Sequence, residues 1–414
     1  MQQTIEKKSS VVRLFVPSLV VVYLSLFIVD VISSTFLLDV TVDFFGSPDP
    51  LFVAITSQLT TISNVMAAVF AILLAVGAIK FNHKKLLLFG TLLVPVGAIG
   101  CSLAPDYLLL QIFFVLEGIG TMIVTTMAVV LVGEMLPLNR RPQAIGWITS
   151  GPSIAMIVSA FVVSLFFFTG NWRSFLLWFA LPLSLISIVA AYFGIPPSKG
   201  KQKNTIGKEA YLRSFRQIFL NKSAAACLIG VFIRFVSIGW GFFLITFLRI
   251  EFGIDLGLAA LVAGLPMALV ITMGHIVGGY LTNRYGRKTL SVASLLIHGA
   301  TLPLIVVLPN LWVALVIFYS GTFIGALAFP AVTNLTLEQA PKSRGSMMSI
   351  NSILSILGGG IGPAVGGVAL VLFDYTGMFF TFAALIILSA AIFFFFTKDP
   401  CKTMQTDSTK PKPS

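Results

Sequence analysis

Three ionisable residues stand where such residues are costly: Asp30, Glu117 and Arg234 each interrupt a long apolar run. A charged side chain at bilayer depth usually faces a cavity and marks an ion or substrate path. At ~1.5 Å of rise per residue, Asp30 and Glu117 lie roughly 25 Å from the cytoplasmic ends of their helices and Arg234 roughly 16 Å, near the midplane. A carboxylate in low dielectric favours its protonated form, which suits reversible proton uptake, whereas one beside a cation stays ionised. Arg234 can therefore decide which acid titrates: paired with one, it leaves the other free to carry a proton. The alternative is a static buried ion pair that orients the helices. A proton moving down ~100 mV releases about 2.3 kcal/mol, and a unit of pH adds about 1.4 kcal/mol. Together these sustain a gradient of roughly several hundred fold.

Other polar residues in apolar runs carry weaker signals. His275 and His298 titrate in the physiological range when unperturbed, but a lone histidine on an apolar helix is more often a packing residue. Gln58, Asn64, Asn334, Asn351 and Tyr319 suit either substrate polar groups or helix joining, and Trp178 and Trp240 are candidates for stacking on an aromatic substrate. The three cysteines, Cys101, Cys227 and Cys401, have neither pairing nor metal-ligand spacing. No paired-histidine metal motif, nucleophile elbow or phosphate loop occurs, so neither a metal nor a cofactor is expected and enzymatic chemistry is disfavoured.

The elements that position these residues follow from composition. The chain is 57% hydrophobic and 10% charged, far from the soluble pattern of about a quarter charged. A spanning helix needs about 20 apolar residues. Hydropathy places spans from Arg13, Leu51, Leu86, Tyr107, Ala144 and Trp172, then from Ala224, Gly257, Thr289, Leu311, Met347 and Gly377. The first run is too long for a signal-peptide core and is expected to be retained. With a cytoplasmic amino terminus, 24 of the 27 Lys and Arg fall on the cytoplasmic side, Arg173 and Arg249 at the outer edge, and Arg234 within a span. That bias sets topology, with both termini cytoplasmic. It also explains the +12 net charge without a nucleic-acid partner.

An offset of 204 residues aligns two halves. Glu134-x-x-Pro137-x-x-Arg140 recurs as Glu338-x-x-Pro341-x-x-Arg344, and Lys80-x-x-His83-Lys84 corresponds to Arg284-x-x-Arg287-Lys288. The same offset sets Asp30 of span one opposite Arg234 of span seven. Six spans precede the repeat, so both halves share one orientation. The expected organisation is a six-helix bundle over 1–195, a basic cytoplasmic linker over 196–222, a second bundle over 223–398 and a cytoplasmic tail over 399–414. Within the linker, Leu212, Phe215 and Phe219 recur at helical spacing among Arg213, Arg216 and Lys222. That pattern fits either a short helix on the inner leaflet or a solvated connection.

Gly279-Tyr-Leu-Thr-Asn283-Arg284-Tyr-Gly286-Arg287-Lys288 resembles the G-x-L-x-D-R-x-G-R-K loop signature of the major facilitator superfamily, with Asn283 in place of Asp. The first-half loop keeps only Ala75, Ile79, Lys80, Asn82, His83 and Lys84 at the corresponding positions. The resemblance covers residues 13 to 397. It implies an all-α integral membrane fold of twelve transmembrane helices, two six-helix bundles related by a pseudo-two-fold axis. It also implies a central cavity lined by spans one, four, seven and ten, and a gate in which the loop's acidic residue meets a helix N-terminus of the opposite bundle. Ile79 cannot serve there, while Asn283 can cap a helix. Lys80, Lys84, Glu134, Arg140, Asn283, Arg284, Arg287, Lys288, Glu338 and Arg344 are the gate candidates, with Arg284 and Glu134 as cross-bundle partners. Asp30 resembles the acidic residue of the L-D-x-T-I-V segment of many exporters. Glu117-Gly118-Ile119-Gly120 stands where the family reads R-x-x-Q-G, with Phe114 at the arginine position.

Gly358-Gly-Gly-Ile-Gly362-Pro363-Ala-Val-Gly366-Gly367 in span eleven is similar to the glycine-rich, G-P-containing segment of antiporters in this superfamily, which there lies in span five. Gly358, Gly362 and Gly366, like Gly274 and Gly278 in span eight, also form flat faces for close helix approach. The leading expectation is a plasma-membrane, monomeric secondary transporter that exports amphiphilic or drug-like molecules against a proton gradient. The competing ones are a proton-coupled symporter of a metabolite or organic anion anchored on Arg234, and a sensor or scaffold that no longer cycles.

Overall fold

The computed structural model describes residues 2–77, 82–137, 140–166, 171–196, 216–308 and 310–399, and among them every regular element is helical. Ten spans are Leu14–Thr35, Pro50–Ala71, His83–Leu103, Tyr107–Met135, Ala144–Ser164, Trp172–Gly194, Lys222–Phe252, Leu256–Tyr285, Arg287–Val307 and Leu311–Glu338. A final helical stretch, Arg344–Phe396, breaks at Asp374, where φ is 56°, into two limbs. Those limbs are spans eleven and twelve. Each of the twelve begins within a few residues of its expected start.

Short turns are terminated by Asn and Asp side chains, which accept from amides a helix start leaves unpaired. Asn82 accepts from Lys84 and Lys85, Asp106 from Leu109, and Asn171 from Ser174. Asn221 accepts from Ser223 and Ala224, and Asn310 from Val313. These caps allow the span five to six and nine to ten connections to be so brief.

By contact the chain divides into two compact units, Met1–Lys203 with Phe242–Ala268, and Asn204–Gly241 with Leu269–Ser414. This is a division by packing rather than by sequence repeat, and it runs through spans seven and eight. In the first unit, glycines let spans three and four touch backbone to backbone: a Cβ on Gly90 would lie 2.9 Å from the Gly120 carbonyl oxygen, and one on Gly120 2.7 Å from that of Gly90. Where spans one and three finish and span six starts, the unit is knotted by Arg173, which bonds Asp43 at 2.9 Å and the carbonyls of Ser102 and Ala104. In the second unit, Gly274 meets Ala326 and the Phe323 carbonyl, and Gly278 meets the Leu327 backbone, which joins spans eight and ten. Gly358 and Gly362 abut Phe232 to Gly239 of span seven, and Gly366 is buried along the same helix. Of the linker, 216–220 is helical, and Ile218 is buried against Ala224, Leu228, Met347 and Ile350. Leu212, Arg213 and Phe215 lie outside the described residues.

Candidate transport site

Span one is not continuous. Its helix ends at Asp30, resumes as Ile32–Thr35, and resumes again at Leu37 after Phe36, where φ is −103° and ψ 18°. The Ser34 amide turns to the Val31 carbonyl at 3.2 Å instead of to Asp30. The freed Asp30 carbonyl accepts the Ser33 hydroxyl at 2.7 Å. Span seven breaks nearby, at positions that correspond to Ser34 and Thr35. Its first limb Lys222–Ser237 gives way at Ile238 and Gly239 to a second limb, Trp240–Phe252. The Ile238 and Gly239 amides both turn to the Val236 carbonyl, and the Ser237 hydroxyl bonds the Arg234 carbonyl at 2.7 Å. Ser33 and Ser237 are themselves 204 residues apart. Each half thus carries a charged residue close to a helix break, Asp30 partly buried and Arg234 buried, with a serine three residues on bonding its carbonyl; such local side-chain bonds compete with helix continuation.

The surroundings of the two charges differ. Glu117, 2% exposed, accepts the Thr121 hydroxyl at 2.7 Å, and its Cβ lies against Gly97, where an added methyl would come within 2.7 Å. Asp30 lies within electrostatic reach of Glu117, and no ion pair or side-chain hydrogen bond among the described residues engages the Asp30 carboxylate. Arg234 is 7% exposed. Its guanidinium stands 5.7 Å from the Phe235 ring centre and 5.6 Å from that of Phe329, and among the described residues it makes no ion pair. His275 stacks on Phe329 at 4.4 Å. His298 packs edge-on to Trp240 at 6.0 Å, and its Nε2 is buried without a hydrogen bond among the described residues. Trp240 is thus a core residue, while Trp178 is 75% exposed.

At the helix ends that carry the loop motifs, the lysines bind within their own half. Lys84 donates to the Tyr192 carbonyl at 2.8 Å and lies over its ring, tying span three to six. Lys288 lies over Phe394, tying span nine to twelve. Glu134 accepts from His83 at 2.6 Å, whereas Glu338 pairs with Arg344 of its own motif at 2.8 Å. Arg284 stands over Tyr285. Arg140 and Asn283 are exposed, and Arg287 is partly buried. Gly286 adopts φ 86° between spans eight and nine, a conformation that favours glycine and accounts for the glycine of that loop. Lys80 lies outside the described residues.

Sequence reasoning missed the pairing of Asp39 with Arg249, bidentate at 2.5 and 3.0 Å, with side chains 6% and 17% exposed. Both lie in the first packing unit. Arg249 had been placed at the outer edge by the charge count alone; its partner is 210 residues away, beyond any local signal. The serines were equally silent, because a serine in an apolar run reads as neutral until the backbone around it is known.

The family model for the major facilitator superfamily matches residues 15–341 and 243–413. The chain belongs to the major facilitator superfamily. It is a multi-pass membrane transporter of small molecules with the all-α fold of that family, and it is not an enzyme. Among curated relatives, it is 22% identical over 309 residues to the MFS-type transporter YceJ of Bacillus subtilis (strain 168), covering 72% of this chain and 76% of that protein. It is 21% identical to YbcL of the same organism over 76% of this chain and 79% of the relative. Among solved structures, a D-xylose–proton symporter superposes with a TM-score of 0.75 at 13% identity, over 94% of this chain and 98% of that one. A bacterial homolog of the human lysosomal transporter Spinster gives 0.71 at 18% identity, over 95% and 99%. At such identities these superpositions carry the fold alone.

Proposed function

We propose that this transporter couples substrate movement to a proton carried by the Asp30 and Glu117 pair, and that it exports amphiphilic small molecules across the plasma membrane with both termini in the cytoplasm. The observation that carries this is the placement of Asp30. It sits at a helix break, beside the buried acid Glu117, with no described cation to hold it ionised. Two carboxylates within each other's field resist simultaneous ionisation, so the pair holds a proton through part of the cycle and releases it when one acid changes surroundings. Glu117, fixed by Thr121 and Gly97, is the stationary member; Asp30 is free to change partners. The monomer suffices for this scheme. The D-xylose–proton symporter sharing the fold supports proton coupling as a chemistry the architecture accommodates.

A second reading, symport of an organic anion, is favoured by the lack of a described counter-ion at Arg234. The deciding experiment uses purified protein in liposomes under imposed pH and voltage gradients, with internal pH followed by a dye. Candidate substrates should drive proton movement, and Asp30→Asn with Glu117→Gln should abolish it. Coupled transport that survives the double substitution rules out the pair as the carrier, and the sign of proton movement separates export from symport.

A further inference from the structure

The second-half charge poses a problem that the first-half acids do not. A buried carboxylate can be relieved by taking up a proton, but an arginine remains protonated under all physiological conditions. A buried charge without a partner is strongly destabilising, so Arg234 requires an anion. Among the described residues its own packing unit does not provide one. The described carboxylates of that unit are Glu338, bonded to Arg344, Asp374 at the kink between spans eleven and twelve, and Asp399 beyond span twelve. Instead the guanidinium has two phenylalanine faces beside it. One of these, Phe329, is 38% exposed and carries His275 stacked at 4.4 Å. A second buried polar group, the His298 Nε2, is also without a hydrogen bond among the described residues and lies within electrostatic reach of Arg234.

We infer that Arg234, Phe235 and Phe329 form the recognition site for an organic anion, a compact carboxylate or comparable oxyanion on an apolar or aromatic body. The planar guanidinium offers two parallel N–H donors to the two oxygens of such a head group, and the Phe235 and Phe329 rings beside it offer apolar contact to the body. A hydrated inorganic anion gains from the first of these but not from the second. A cationic amphiphile of the same shape is repelled. The inference deepens the transport reading by naming the substrate's charge, and it holds for either direction of movement.

Benzoate, benzamide and benzamidine share one shape and carry negative, zero and positive charge. Binding of each to the detergent-purified full chain, at a single pH and without any gradient, is measured by calorimetry and by thermal protection. Benzoate is expected to bind at least about thirtyfold more tightly than either isostere, as loss of one partner of a buried charge pair implies. Chloride should give no comparable protection. Arg234→Gln should abolish the preference for benzoate, and Arg234→Lys should retain a weakened one. Equal binding of benzamidine, protection by chloride matching that by benzoate, or no protection by benzoate overturns the inference. The comparison among isosteres on the unsubstituted protein keeps the test decisive even if Arg234→Gln does not fold. Because no proton gradient is involved, loss of benzoate selectivity with coupled transport intact refutes only this inference. Benzoate binding without proton coupling refutes only the proposed carrier pair.

Discussion

The two halves solve the same local problem with opposite charges. The helix breaks just after Asp30 and four residues past Arg234, the backbone carbonyl of each is taken by a serine three residues on, and each charge is left near its break without a described counter-ion. The backbone device is shared, while the side chain it presents has been inverted. What lies behind each break differs as well. Gly239 of span seven touches Gly362, whereas Thr35 holds the equivalent place in span one. A duplicated scaffold has therefore kept its discontinuities and diverged in what they display, a proton-accepting group in one half and a permanent cation in the other.

The largest effect should come from the glycine. A methyl at Gly239 would lie 2.6 Å from the Gly362 backbone, and backbone cannot yield as a side-chain tip does. Gly239→Ala is expected to cost about 1–3 kcal/mol, seen as a loss of monodisperse protein and a lowered melting temperature. Thr35→Ala, its first-half counterpart, should cost under about 1 kcal/mol; equal losses would erase this distinction between the breaks. Next in size is the Asp39–Arg249 pair. Because both side chains are largely buried, Arg249→Ala should cost on the order of 3 kcal/mol by stranding Asp39, with partial recovery in Arg249→Ala with Asp39→Asn. An unchanged melting temperature would show that the pair contributes nothing to the native ensemble.

Smaller effects test the shared device itself. Ser33→Ala and Ser237→Ala each remove one bond to a carbonyl that the helix does not satisfy, worth about 1 kcal/mol. Similar values by thermal unfolding support equivalence of the breaks, whereas a cost in only one half argues that the other break is held by packing. Smallest of all should be Glu338→Gln. Its partner Arg344 is 53% exposed, and pairs of that kind contribute roughly 0–1 kcal/mol. Glu134→Gln should cost more, since His83 and Glu134 are both mostly buried.

Much of this architecture is legible in the sequence because bilayer depth forces it. Apolar runs long enough to span and basic residues at alternate ends locate twelve helices within a few residues. The repeat alone aligns Asp30 with Arg234. The gate residues were less legible. Lys84, Lys288 and Glu134 have the right character for helix-end contacts, yet their partners Tyr192, Phe394 and His83 were set by helix packing within each half. Glycine spacing announced close approach but not which helix would approach. The break in span one gives no signal, because Val31 has no composition that interrupts a helix, while that in span seven is marked only by Gly239.

The permanence of the charge on Arg234 has an electrical consequence. If the substrate's negative charge is what Arg234 meets, the fixed cation remains with the protein and only the anion crosses the membrane. Moved inward together with a proton, that anion makes an electroneutral cycle, indifferent to membrane potential. Moved outward in exchange for a proton, it makes each turnover carry positive charge into the cell, so that an interior-negative voltage of ~100 mV drives both components at about 2.3 kcal/mol per charge. A current recorded across a single supported membrane would therefore reveal the direction in which this transporter works.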